Sequence, residues 1–205
     1  RPESLFPDFF AYLNALDNDP PAVNLAAQVG HSTLRIGAMD NLERPATGEE
    51  IKSMRHQLDH ALEAGAIGMS TGLYYEPASA APTSEVIELS KSIRDARGIH
   101  TTHMRNEGDH IEQSLEESFR IGRDANVPIV ISHHKVGGIS NHGRSRQTLR
   151  MIDEASNDQA SRIFGGLHPS IKCGTAIVVC LSSEYTRQQI VCFSWMLGTS
   201  SAVIE

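Results

Sequence analysis

Two histidines, each two residues ahead of a cation, carry the chemistry legible in this 205-residue chain. They stand in Thr102-His103-Met104-Arg105 and in Ser132-His133-His134-Lys135. Neutral imidazole is a good zinc ligand, and a catalytic zinc keeps one coordination position for water. His103 and His133 are therefore candidate metal ligands, although a local hydrogen bond would explain either one alone. Side chains alternate along a strand, so His103 shares a face with Arg105, and His133 shares one with Lys135. On the same rule His134 points the other way, and only one of that pair is expected to be a ligand. Arg105 and Lys135 suit an anionic substrate group such as a carboxylate. Ion pairs with Glu107 or Glu76 are the structural alternative. Tyr74 and Tyr75, after Ser70-Thr71-Gly72-Leu73, could hydrogen-bond a ligand or pack as rim aromatics, and Gly72 permits close backbone approach. His31, after Gly30, either acts at the site or orders its loop, and His142 is expected to face solvent.

What must position these residues is an alternation of strands and helices over about residues 22–156. Segments 23–30, 66–73, 99–105 and 127–135 are strand-like, rich in apolar and β-branched residues. A loop carrying Gly30, His31 and Arg35 is expected after the first. Thr47-Gly48-Glu49-Glu50 has the capping-box pattern, and Ile51, Met54, Leu58 and Leu62 follow at helical spacing. Gly65 should stop that helix. Further helices are expected after Thr83 (Val86, Leu89, Ile93), after Asp109 (Ile111, Leu115, Phe119) and from Ser145 (Leu149, Ile152). Four βα units of this size imply parallel strands. Both a doubly wound sheet and a (β/α)8 barrel fit, and four units would be half of such a barrel, which takes roughly 250 residues. In either fold the chemistry gathers at the C-terminal ends of the strands, where His31, Tyr75, His103, Arg105, His133 and Lys135 all fall. From residue 157 the alternation is lost.

Composition narrows the classes further. A net charge of -7 argues against a nucleic-acid surface. No apolar run is long enough for a membrane helix. The three cysteines, Cys173, Cys180 and Cys192, form no metal-type or disulfide pattern, so a reducing cytoplasm is the expected compartment. P-loop, dinucleotide and nucleophile-elbow motifs are missing from the chain.

Four motifs in order resemble one known family. They are Gly30-His31-Ser32-Thr33-Leu34-Arg35, the run from Gly68 through Ser70-Thr71-Gly72-Leu73-Tyr74-Tyr75-Glu76-Pro77-Ala78, Thr102-His103-Met104-Arg105-Asn106-Glu107-Gly108, and Ile131-Ser132-His133-His134-Lys135. Together, over roughly residues 22–156, they resemble the N-acyl-D-amino-acid deacylases (D-aminoacylases) of the amidohydrolase superfamily. The resemblance implies a Zn2+-dependent TIM-barrel hydrolase of N-acyl-D-amino acids, with His103 and His133 on the zinc. It also implies Lys135 and Tyr75 against substrate and Tyr74 lining the pocket. The family's early His-x-His pair, its metal-binding cysteine and its general-base aspartate have no counterpart here. The expectation is therefore a partial amidohydrolase barrel over residues 1–156, with a tail over 157–205 that is foreign or out of frame. Such an internal fragment would have little activity alone and would self-associate through exposed barrel edges. A cyclic-amide hydrolase of the dihydroorotase or hydantoinase type and a non-catalytic remnant are the competing readings.

Overall fold

The computed structural model describes residues 6–22, 25–157, 163–167 and 191–194. The elements run α1 (Phe9–Asn18), β1 (Leu25–Gly30), α2 (His31–Ala38), α3 (Gly48–Glu63), β2 (Gly68–Gly72), α4 (Thr83–Asp95), β3 (Ile99–His103), α5 (Ile111–Ala125), β4 (Ile129–His134), α6 (Ser145–Asn157), β5 (Ile163–Leu167) and β6 (Val191–Ser194). Local chemistry sets several of these boundaries. Thr47 accepts from the Glu50 amide while the Glu50 carboxylate accepts from the Thr47 amide, so both ends of the capping box are made at the start of α3. The chain leaves α3 through Gly65 at φ +117°, and α5 ends on Asn126 in the left-handed region. At Gly68 a Cβ would fall 1.8 Å from the Ile99 carbonyl oxygen. Only glycine lets β2 lie this close to β3.

All strand pairs are parallel, in the order β5-β4-β3-β2-β1-β6. From β1 to β5 each strand lies beside the one before it. That order runs without the reversal that marks a doubly wound sheet, as in a (β/α)8 barrel, and β6 lies beyond β1 at the other edge. The chain is a partial TIM-type α/β barrel, and α2 to α6 pack side by side along one face of its sheet. Between those helices and the sheet lies the core: Met54, Leu58, Leu89, Ile93, Leu115 and Phe119 meet Val29, Met69, Ile129 and Ile131.

The structure departs from the sequence expectations in four places. The segment after β1 is helix α2 rather than a loop, because His31 and Arg35, one turn apart, both reach the buried Glu85 carboxylate. Strand β3 ends at His103 and β4 at His134, so Arg105 and Lys135 lie past the ladder. Helix α1, where no element was expected, has no buried residue, although Phe9 packs against the edge of the core. Beyond Asn157 the backbone forms β5 against β4 and β6 against β1, where no regular element was expected. Residues 23–24 of the first expected strand, and the remainder of 157–205, lie outside the described residues. Among the described residues no helix is long and apolar enough to cross a membrane.

Candidate metal centre

The strand register shows how the two histidines meet. Thr101 pairs with Ser70 and Val130, while Thr102 pairs with Thr71 and Ile131. Val29, Met69, Ile129 and Ile131 pack under the helices. Thr101 therefore faces the opposite, inner side, where its hydroxyl donates to Gln28 Oε1 across 2.8 Å. Two residues on, His103 shares that inner face. Uninterrupted alternation along β4 would place Val130, Ser132 and His134 inside and send His133 under the helices. The register instead shifts between Ile131 and His134, and His133 adopts φ +40°. A β-bulge with a left-handed non-glycine residue re-aims a side chain at a cost of order 1–3 kcal/mol. Here it turns His133 onto the same side as His103. His133 rather than His134 is thus brought beside His103, through this bulge and not through plain alternation.

The two imidazoles stand with His103 Nδ1 and His133 Nε2 2.9 Å apart. Their outer nitrogens face a carboxylate. Glu107 Oε1 is 3.2 Å from His133 Nδ1, and Glu107 Oε2 is 3.7 Å from His103 Nε2. The Lys135 ammonium closes the cluster, ion-paired with Glu107 Oε2 and 3.1 Å from His133 Nδ1. Burial is the main reason His103 is pushed down to about 4, with the positive charge of Lys135 adding to it against the pull of Glu107. His103 is thus neutral and a competent ligand near pH 7. Burial alone would raise Glu107, but the close approach of His133 and of the Lys135 ammonium outweighs it and holds the carboxyl below its usual range. Glu107 was considered in the sequence only as a salt-bridge partner. Its signal was its position in a strand-end loop, four residues after His103.

These groups fit a divalent metal. Two tetrahedral zinc ligands at roughly 2.0–2.1 Å sit about 3.3 Å apart, so the inner nitrogens need separate by only a few tenths of an ångström. Among the described residues His103, Glu107 and His133 form the single group of three or more potential ligands within mutual reach.

Tyr75 and Tyr74 stand over the pair, their ring centroids 4.9 Å and 6.0 Å from that of His103. Both are exposed and open to a ligand. Arg105 is engaged elsewhere. Its guanidinium forks onto Glu117 at 2.9 and 2.8 Å and donates to the Ser79 and Ala81 carbonyls at 2.8 and 2.9 Å. It meets neither Glu107 nor Glu76 but ties the β2–α4 loop to α5, and would reach a substrate only by giving up those bonds. His31 is fully buried with its Nε2 3.0 Å from Glu85 Oε1, beside Arg35, which also holds the Leu42 and Arg44 carbonyls. Of the two roles considered for His31, this cluster serves loop order. His134 is 6 % exposed, and its Nε2 finds no partner among the described residues.

Comparison with known proteins places this arrangement in context. No protein-family model matches the chain. It is 54 % identical over 150 residues to a D-aminoacylase from Alcaligenes xylosoxydans xylosoxydans, covering 73 % of this chain and 31 % of the relative. It is also 48 % identical over 165 residues to an N-acyl-D-aspartate deacylase from the same organism, covering 80 % and 33 %. A crystal structure of D-aminoacylase, described as defining a novel subset of amidohydrolases, superposes with a TM-score of 0.79 at 49 % identity, over 81 % of this chain and 35 % of that one. An N-acyl-D-glutamate deacylase from Bordetella bronchiseptica, complexed with zinc and a phosphonate mimic of the tetrahedral intermediate, superposes at 0.77 with 42 % identity, over the same shares of the two chains. The chain spans about a third of the length of the relatives it matches.

Proposed function

This chain belongs to the N-acyl-D-amino-acid deacylase family of amidohydrolases, and we propose that its strand ends form part of a zinc-dependent site that hydrolyses the amide bond of N-acyl-D-amino acids. The observation that carries this reading is the 2.9 Å approach of His103 Nδ1 to His133 Nε2 at the C-terminal ends of adjacent barrel strands. We assign these two nitrogens to the metal. Zinc there supplies Lewis-acid polarisation of the scissile carbonyl and a water of lowered pKa. Lys135 is cationic and half-exposed, and it fixes an anionic group of the substrate. Tyr75 offers its hydroxyl to the substrate from above His103, and Tyr74 walls the acyl or side-chain pocket. Arg105 acts on substrate only if its link to Glu117 opens. The general base is expected to be an aspartate outside these residues.

Only two imidazoles and one carboxylate converge among the described residues as groups able to hold a metal, and two of them are assigned to it, so weak metal binding and slow turnover are expected of the 205-residue chain itself. The test is to load the purified chain with zinc, dialyse, count the retained metal, and assay N-acetyl-D-amino acids beside their L-enantiomers and hydantoins. Retained zinc, with any turnover confined to the linear D-substrates, supports the proposal. Hydantoin turnover would favour a cyclic-amide hydrolase, and failure to hold zinc would favour a non-catalytic remnant.

A further inference from the structure

We infer that Glu107 is a positioning residue that sets the tautomer of His133 and so determines whether this strand end can take a metal. The inference rests on the metal reading above for its significance, but its geometry stands by itself. A histidine ligates through a lone pair on one nitrogen and carries its proton on the other. His133 Nε2 faces His103 Nδ1, so ligation requires the proton on His133 Nδ1.

Two groups compete for that Nδ1. The Lys135 ammonium, 3.1 Å away, has only donors. Its bond to Nδ1 forces the proton onto Nε2, which then points into the metal position and blocks it. The Glu107 carboxylate is acceptor-only, and its Oε1 lies 3.2 Å from the same Nδ1. That oxygen is buried, and its contact with Nδ1 is not a well-directed hydrogen bond, which leaves it poorly satisfied. A small turn of the His133 ring relieves it by taking the Nδ1 proton as Nδ1–H···Oε1. Glu107 meanwhile draws Lys135 to its other oxygen. One carboxylate thus offers the acceptor for the Nδ1 proton of His133 and competes for the Lys135 ammonium, which stands between the two at 3.1 Å from Nδ1. Its second oxygen, 3.7 Å from His103 Nε2, lies on the outer edge of the other imidazole too. This is the carboxylate–histidine–metal arrangement by which outer groups orient a ligand and raise its basicity. The inner nitrogens face each other and the carboxylate lies behind both rings, so its place is behind the ligands and not among them.

The discriminating experiment removes each half of the Glu107–Lys135 ion pair in turn. A merely structural ion pair predicts the same loss from either half. Tautomer control predicts opposite signs. Glu107→Gln should weaken zinc or cobalt binding by about 10- to 100-fold, while Lys135→Met should leave it unchanged or tighter. Equal weakening by both, or none by Glu107→Gln, overturns the inference. A second measurement needs neither a variant nor a metal. In the metal-free native chain at pH 7, nitrogen-15 NMR of the histidine rings should find His133 protonated on Nδ1. A proton on Nε2 there overturns the inference whatever the metal assay gives. If the native chain binds no metal but His133 is the Nδ1–H tautomer, the zinc reading fails and the role of Glu107 stands.

Discussion

At the scale of single residues, the site turns on backbone as much as on side-chain type. His133 and His134 are chemically identical neighbours, and the bulge alone decides which one faces His103. Substituting each therefore separates ligation from packing. His133→Ala should abolish metal retention, because it leaves a single imidazole. His134→Ala should leave retention intact while lowering stability by roughly 1–2 kcal/mol through a small buried void. Metal analysis after dialysis, beside urea unfolding, reads both, and loss of metal from His134→Ala alone would reverse the assignment. In the sequence His103, His133, Lys135 and the tyrosine pair stood out by type and position. Glu107 did not, because a carboxylate four residues into a loop looks like any solvated acid until its two neighbours are placed.

At the scale of elements, the helices were the most legible part. Apolar residues at helical spacing and a capping pair survive any tertiary context, and α3 starts where Thr47 and Glu50 say it must. Thr47→Ala removes the side-chain acceptor for the Glu50 amide and should cost about 1 kcal/mol, seen as a lower denaturant midpoint with an unchanged slope. A shift within error would mean Glu50 is held mainly by Arg44, its other partner at 2.7 Å. The strands were legible in existence but not in extent. Arg105 shows why: as a strand residue it would point into the site, whereas the chain has left the ladder after His103 and the guanidinium binds Glu117 instead. Helix α2 was missed because its stabilising contact, the bonds of His31 and Arg35 to Glu85, spans about fifty residues of sequence.

At the scale of the whole molecule, buried ionisable groups set the acid response. Burial pushes His100 down to about 3 from its ordinary 6.5, inside a site where Thr71 and Ser90 hold both ring nitrogens. Burial alone would raise Glu85, but bonds to His31, Arg35 and the Ala46 amide outweigh it and bring it to about 2 from 4.5. In both cases the unfolded chain binds the proton more readily than the folded one, so stability falls as pH falls. The His100 share is lost between about 6.5 and 3, and the Glu85 share between about 4.5 and 2. Denaturant midpoints measured from pH 7 to pH 4 should drop steadily, and His100→Gln should flatten that slope; an unchanged slope would show that His100 does not carry it. The sheet also ends, among the described residues, on β5 and β6. Parallel edge strands are templates for pairing with another copy, so we expect concentration-dependent self-association. A monodisperse monomer in light scattering across a tenfold dilution would argue against it.

The alternation of β1 to β4 with α3 to α6, the starts of those helices, the two motif histidines and the family they signal were determined by the sequence alone. Each rests on local periodicity or on short contiguous motifs, which need no knowledge of what lies across the fold. Only the tertiary structure decided the rest. The first five strands wound in sequential order as in a barrel, the bulge chose His133 over His134, and the Glu107 carboxylate came to stand behind both imidazoles. Arg105 was diverted to Glu117, and His31 to Glu85. Each of these outcomes depends on distances between residues far apart in the chain and on a one-residue change of strand register. A one-residue register change moves a side chain from one face of a sheet to the other without altering its local sequence.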